Sequence, residues 1–435
     1  MLNTYRIELR RSPLLTAFPV MIVVDLAVLF GRSQYWIGVW PEASVAAQIV
    51  TLFLGPVLAG VSAWQAGRSS RAGMPEFLLA AARPGWRIEA ARLAATLTLG
   101  FLAYGIGCLT AAAVSLSKAG PGFLWPSYLL LGAATLIIFA SVGHLAGRWW
   151  PSPGFTPIVC ALGCFISMLS LPFKFNVLAG PPDTHLRLLP LAVRLFIALA
   201  LAVLAVTAPP LTRKAERQMT RRELPLHTRG VVIVSAVSSL VGLTAAPAAG
   251  ELRVERPASA TTPLCERADE HSPRVCVWPE HRKYLPELTR MAQRLGRPSQ
   301  SWVKAPDEFY EFGLRRTRWG DPGFDIAEGH VRTAAIAMAD QVFSTSLGWC
   351  TPPRDEPGAR RAWEAINNIH LWLEYQATGQ DPSAADEGIH FTGVSTSQHK
   401  AAQAARMTPA EQQKWVAQER SHLRESTWCK PDVRK

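Results

Sequence analysis

Four groups of residues in this 435-residue sequence could do chemistry: a histidine–carboxylate pair, an acidic turn, charges set in apolar runs, and the cysteines. His370 and Glu374 stand four apart, so on a helix they share a face and could hold a metal ion together with His330 or His390. Polar i, i+4 pairs are common on helix surfaces, and the reading adopted is that no metal is bound. Asp307, Glu308 and Glu311 crowd around Tyr310, followed by Arg315-Arg316-Thr317-Arg318; this pattern suits a solvated surface better than a reactive site. The sequence contains no HExxH, GxSxG or CxxC and no GxxxxGK[ST]. Hence no catalytic residue and no cofactor are expected, and any ATP hydrolysis must lie on another chain. Of the seven cysteines, Cys108, Cys160 and Cys164 fall in apolar runs, whereas Cys265, Cys276, Cys350 and Cys429 all follow residue 250. Four cysteines allow three pairings. The favoured one is 265–276, which closes a short loop, with 350–429, which ties down the C-terminal end.

The elements that must position these residues follow from an uneven composition. Residues 1–250 hold 20 Lys/Arg against 8 Asp/Glu, which accounts for the whole formal charge of +12, while residues 251–435 hold 25 of each. A nucleic-acid-binding surface should be a basic face on a soluble domain, so basic charge confined to the apolar half argues against nucleic acid and for the flanks of membrane spans. A span needs about 20 apolar residues. Stretches 14–31, 47–64, 93–116, 127–147, 155–172, 188–208 and 231–249 qualify, the fifth short and the seventh marginal. Alternate connections carry 15 and 4 Lys/Arg, which predicts a cytoplasmic N-terminus and an outer location for the tail. Trp36, Trp40, Trp125, Trp149 and Trp150 lie at span ends, as an aromatic belt would place them. Asp25 and Arg194 then sit about 9 Å below the outer boundary, at about 1.5 Å rise per residue. Intramembrane charges are costly, so the two are expected to pair, within one protomer or across a dimer. His144 is expected to be an interfacial polar residue, and Gly143 to Gly147 fits GxxxG, a weak signal on its own. Basic residues 213–229, an apolar core and Ala246-Pro247-Ala248 also resemble a signal-peptide layout, with cleavage after Ala248 as the alternative to a retained span.

The connection between the second and third spans is the most informative stretch. Gly67-Arg68-Ser69-Ser70-Arg71-Ala72-Gly73-Met74-Pro75-Glu76-Phe77-Leu78-Leu79 leads through Ala80-Ala81-Ala82 to Arg83-Pro84-Gly85-Trp86-Arg87, then Ile88-Glu89-Ala90-Ala91-Arg92. It reads as an amphipathic helix starting near Pro75, a break at Pro84-Gly85, and a second helical start that runs into the third span. Arg68, Arg71, Gly73, Glu76, Leu78, Leu79, Pro84, Trp86 and Arg87 resemble the corresponding loop of the ABC-2 type exporter permeases. The resemblance covers residues 1–210 and implies a six-span core, with Arg68, Arg71, Glu76, Leu78, Leu79, Arg83, Trp86 and Arg87 forming the loop that touches a separate cytoplasmic ABC ATPase. It also implies a homodimer or heterodimer of permeases in the cell membrane. The seventh span and the large tail depart from that family.

The expected fold class is all-α: a polytopic membrane domain of six to seven spans over residues 1–229, a seventh span or signal-like segment at 230–250, and a mainly helical, disulfide-bonded outer domain at 251–435. In the tail, helices are expected over Pro279–Leu295, Ile326–Leu347 and Ala359–Ala377, with Gly296, Gly348 and Gly379 following them. Thr408-Pro409-Ala410-Glu411 is a capping box that opens another helix. Trp302, Trp319, Trp349, Trp363, Trp372, Trp415 and Trp428 are expected to supply core bulk. The implied function is the permease subunit of an ABC-type exporter whose outer domain binds substrate or a partner. The alternative is a membrane-anchored extracytoplasmic binding or sensor protein without transport.

Overall fold

A computed structural model describes residues 2–71, 85–120, 122–170, 177, 180–209, 226–256, 262–296, 303–315, 323–326, 331–350, 358–379, 395–424 and 429–430. The chain divides into two compact units, Met1–Gly180 with Thr184–Val254, and Pro181–Asp183 with Glu255–Lys435.

The first unit is a helical bundle. A short helix α1 (Leu2–Arg10) precedes α2 (Pro13–Phe30), which begins where Ser12 accepts a hydrogen bond from the Leu14 amide and Pro13 supplies a preset first turn. The one-turn α3 (Ser33–Trp36) leads into α4 (Trp40–Ile49) and α5 (Thr51–Ala66). Val50 keeps right-handed helical dihedrals, so α4 and α5 make one apolar stretch, Trp40–Ala66, and it is the most deeply buried of the long helices. A further turn, α6 (Arg68–Arg71), precedes the undescribed residues 72–84. Helix α7 then starts at Gly85 and runs unbroken to Leu116, the expected second start into a span. After it come α8 (Pro126–Trp149), α9 (Phe155–Ser170), strand β1 (Thr184–Leu186), α10 (Leu188–Thr207) and α11 (Leu226–Ala248).

Among the described residues, six helices are long and apolar enough to cross a membrane: Pro13–Phe30, Trp40–Ala66, Gly85–Leu116, Pro126–Trp149, Leu188–Thr207 and Arg229–Ala248. The fifth expected span, 155–172, holds α9, of which 16 residues are described; residues 171–172 lie outside the described residues. The marginal seventh segment is a continuous helix that ends at Ala248. Beyond it, β2 (Arg253–Glu255) forms a two-stranded sheet with β1, and the Arg187 amide donates to the Leu252 carbonyl at 2.9 Å. Leu252 is buried in one cluster with Val45, Ile49, Tyr128, Leu131, Leu186 and Leu191. The residues just past the signal-like cleavage point are thus part of the bundle's own core.

The tightest packing in the bundle is α5 against α8. A Cβ built on Gly143 would lie 2.0 Å from the Ala59 carbonyl oxygen, and one on Gly147 would lie 2.1 Å from that of Ala63. The GxxxG pair is therefore an intramolecular contact in which two backbones meet with no side chain between them. Helix α9 packs on α5, α10 packs on α8 and α11, and α1 and α2 pack on α7. Trp36 and Trp40 do not form an outer belt. Both are buried, and their indole N–H groups donate to the carbonyls of Leu29 and Gly120 at 2.8 and 2.9 Å, because these rings close chain reversals rather than face lipid.

The second unit mixes a small sheet with helices. Strand β3 (Leu264–Glu266) pairs antiparallel with β4 (Arg274–Val277), placing Cys265 opposite Cys276, and these two form a disulfide. Asp269 holds the intervening turn, accepting from the His271 amide, the Ser272 hydroxyl and the Gln293 side chain. Those donors hold its carboxyl down to about 2, so these bonds persist through the ordinary acidic range and are lost only as pH falls through that value. A 3-10 turn (Pro279–Tyr284) leads to α12 (Leu285–Gly296), so the expected single helix over Pro279–Leu295 is two elements and Gly296 is its last residue. Strand β5 (Glu308–Tyr310) runs parallel to β4. Then follow α13 (Val331–Leu347), β6 (Trp349–Cys350), α14 (Ala359–Thr378), α15 (Ser395–Ala405), α16 (Pro409–Arg424) and β7 (Cys429–Lys430). Gly348 and Gly379 end α13 and α14 with positive φ (74° and 60°), the left-handed cap expected of them. At the start of α16, the Thr408 amide donates to the Glu411 carboxylate at 3.0 Å, the backward half of the expected capping box.

The core tryptophan the sequence reading passed over is Trp278, which is fully buried with Phe309 and Phe324. Trp372 is buried as expected, Trp363 is 39% exposed, and Trp302, Trp319 and Trp428 lie outside the described residues. Two outcomes check this fold. Gly143→Ala or Gly147→Ala should lower stability in detergent by about 1–3 kcal/mol, the usual cost of overpacking, whereas Gly105→Ala, where a Cβ meets nothing within 4 Å, should be neutral or gain up to about 1 kcal/mol; equal thermal-unfolding shifts would contradict the close approach. Intact-mass analysis should find the whole 47.6 kDa chain, and a fragment starting at Ala249 would show that the β1–β2 return does not protect this point.

Candidate functional site, a buried ion-pair chain around Glu8 and Glu89

Where α1, α5, α7 and α8 converge at one end of the bundle, charged side chains form a continuous chain. The Glu8 carboxylate on α1 accepts from Arg68 at 2.8 Å and from Arg92 at 3.4 Å. Arg92 also donates to Glu89, one turn earlier on α7, at 3.0 Å. The second Glu89 oxygen meets His144 Nε2 on α8 at 3.0 Å. A carboxylate can only accept, so Nε2 carries the proton in this contact. The Arg92, Glu89 and His144 side chains are 7%, 12% and 1% exposed, so this chain runs through the protein interior.

The local reasons are plain in the helices. Glu89, Arg92 and Thr96 recur at three- and four-residue spacing, so they form one polar stripe on α7. Gln65, in the last turn of α5, donates to Ser12 at 2.8 Å and accepts from Thr96 at 3.2 Å, which extends the stripe toward α2. Tyr5 and Thr98 share a hydrogen bond at 2.9 Å, a second tie between α1 and α7. On α8, one turn beyond His144, the Arg148 guanidinium donates to the carbonyls of Ala205 and Val206 at 2.8 and 2.9 Å. It thereby caps the last turn of α10, where orphan carbonyls and the helix dipole both favour a cation. His144 is thus an interior link in this network.

Several expected site residues meet here. Arg68 reaches Glu8. Arg71 donates to the Trp64 carbonyl at 2.7 Å and lies over the Trp64 ring, so it seals the end of α5. Arg87 lies over the exposed Trp86 ring at the start of α7. Glu76, Leu78, Leu79 and Arg83, with Gly73 and Pro84, fall outside the described residues. The geometry shows that the two flanks of this segment are gathered by a single carboxylate: Arg68 before it and Arg92 after it both bond Glu8.

Asp25 and Arg194 are not joined in the protomer. Asp25 is buried on α2 with no hydrogen-bond partner at Oδ2, and Arg194 Nη1 donates to Pro190 on its own helix at 2.9 Å. Equal depth did not suffice, because α2 packs chiefly on α7 while α10 packs on α8 and α11. In the second unit, His370 contacts Glu374 at 3.0 Å and Asp340 at 3.8 Å, while His330 and His390 lie outside the described residues. No group of three potential ligands in metal-holding geometry occurs among the described residues. The acidic turn is only partly a solvated surface. Glu308 pairs with Arg274 and Arg315, but Glu311 is buried, with one oxygen 2.5 Å from His281 Nδ1 and the other accepting from the Trp278 amide.

No known protein family, curated protein or solved structure matches the chain.

Glu8 and Glu89 were overlooked in the sequence because neither belongs to a motif. The available signals were an acid within a basic lead-in and a Glu–Arg–Thr stripe at helical spacing at the head of an apolar run. Glu89→Gln should destabilise the protein by about 3–5 kcal/mol, because it strips a buried arginine and histidine of their carboxylate. Arg87→Gln, on the exposed side of the same turn, should stay within about 0.5 kcal/mol. Chemical or thermal unfolding in detergent that ranks the two equally would show that the chain of ion pairs contributes nothing to the fold.

Proposed function

We propose that this protein is the permease subunit of an ABC-type exporter, driven by a separate cytoplasmic ATPase. In this reading the N-terminus is cytoplasmic, the second unit lies on the outer face, and two permease chains form the pathway. The observation that carries it is the gathering of both flanks of residues 72–84 on Glu8. A segment pushed by a motor protein transmits force only if its ends are fixed to the rods it must move. Here Arg68 ends the α5 side and Arg92 begins the α7 side, and Glu8 joins them to α1. The Glu89–His144 contact then carries the same displacement to α8, which is locked backbone to backbone against α5. The resemblance of the 68–92 sequence to ABC-2 permeases and the 15-to-4 bias of Lys/Arg between alternate connections support the same reading.

The ATPase side is chemically simple. By sequence, the stretch from Arg68 to Arg87 mixes basic Arg68, Arg71, Arg83 and Arg87 with Glu76, Leu78, Leu79 and Trp86, a composition suited to a groove on a soluble partner. Asp25, buried with no hydrogen-bond partner at Oδ2, is the charge that would face the second permease chain in this reading. Chromatography of the tagged protein expressed in its own cells should co-purify an ABC ATPase, giving a complex with ATPase activity. Glu76→Ala and Arg87→Ala should release the ATPase while leaving the permease folded. Glu8→Gln should keep the ATPase bound but uncouple its activity from transport. Failure to bind any ATPase sinks the proposal and favours the membrane-anchored binding or sensor reading.

A further inference from the structure

Strands β6 and β7 are only two residues each, and they pair antiparallel with Trp349 opposite Lys430 and Cys350 opposite Cys429. Directly opposed residues of an antiparallel pair have Cα atoms about 4.5–5.5 Å apart, within the roughly 4.4–6.8 Å that a disulfide spans. The other antiparallel pair in this unit has the same arrangement, Cys265 opposite Cys276, and there the bond is formed. We propose that Cys350 and Cys429 form a second cross-strand disulfide, which closes the chain segment carrying α14, α15 and α16 into a covalent loop.

Two further points favour this pairing. Cys265 and Cys276 are already joined, and Cys108, Cys160 and Cys164 are free thiols on apolar helices of the other unit, so each of Cys350 and Cys429 has the other as its partner. An isolated two-residue ladder is too short to hold itself, and bringing its strands together closes a long loop, so a covalent link accounts for a pairing that hydrogen bonds alone would not sustain. The chemistry balances by thiol–disulfide exchange with a protein or small-molecule disulfide as oxidant. One cysteine thiolate attacks the oxidant and releases its first thiolate. The second attacks the mixed disulfide and releases the other, so two protons and two electrons leave the protein and the oxidant becomes a dithiol. Such oxidants act in extracytoplasmic compartments. The proposal is independent of transport.

The test is a thiol count on the full-length protein, purified in detergent without reductant, denatured and treated with iodoacetamide before mass spectrometry. Three of the seven cysteines should be alkylated, and a non-reduced digest should contain a peptide pair linked through 350 and 429 that separates on reduction. Five or more alkylated cysteines, or either residue linked elsewhere, would overturn it. The single variants give a second readout that does not depend on the wild-type digest: Cys350→Ser should free Cys429 for alkylation, and Cys429→Ser should free Cys350. A partner that stays blocked in either variant would mean the pairing is wrong.

Discussion

The contact on which the bundle depends is the meeting of two backbones, α5 and α8, at Ala59 and Ala63 against Gly143 and Gly147. Helices in a lipid-like surrounding gain little from burying apolar side chains, because the solvent is equally apolar, so dispersion at close range and polar contacts must hold them together. Missing side chains at 143 and 147 allow that range. The resulting pair forms a stiff centre, with α9 added on the α5 side, α10 on the α8 side, and α11 on α10.

Polar groups at both ends of the α4–α5 rod depend on that centre. At one end, Ser44 accepts from the Trp125 amide, and Gln48 and Glu42 accept from the amides of Val177 and Gly180. At the other, Gln65 and Arg68 enter the network around Glu8, Glu89 and Arg92. These particular groups are tolerated because partners from other elements satisfy them, and leaving one unsatisfied would cost more than the contact itself contributes. A rod with its ends tied to different connections suits a machine that carries displacement from one membrane face to the other, as the proposed exporter role requires.

The second unit solves a different problem. Its framework includes point constraints: the Cys265–Cys276 bond, the buried His281–Glu311 pair beside Trp278, and the glycine caps of α13 and α14. The register that opposes Cys350 and Cys429 follows the same logic.

The sequence by itself determined the long apolar helices, among them the one from Gly85 into the third span, the backward half of the capping box at Thr408 and the favoured 265–276 bond. All of these rest on local physics: hydropathy over about 20 residues, the geometry of proline and glycine, and short-range spacing. What only the tertiary structure decided is which faces meet. Depth along a span placed Asp25 and Arg194 at one level, yet their helices pack chiefly on different neighbours and the two side chains are not joined in the protomer. The convergence of α1, α5, α7 and α8 brought Glu8, Arg68, Arg92, Glu89 and His144, from Glu8 to a residue 136 positions later, into one chain of hydrogen-bonded charges. Trp36 and Trp40 likewise read as belt residues by position and turned out to be buried hydrogen-bond donors. Linear pattern records how polar a residue is and how far along its helix it lies. The partner that makes a buried charge affordable comes from elsewhere in the chain, and only the packed bundle names it.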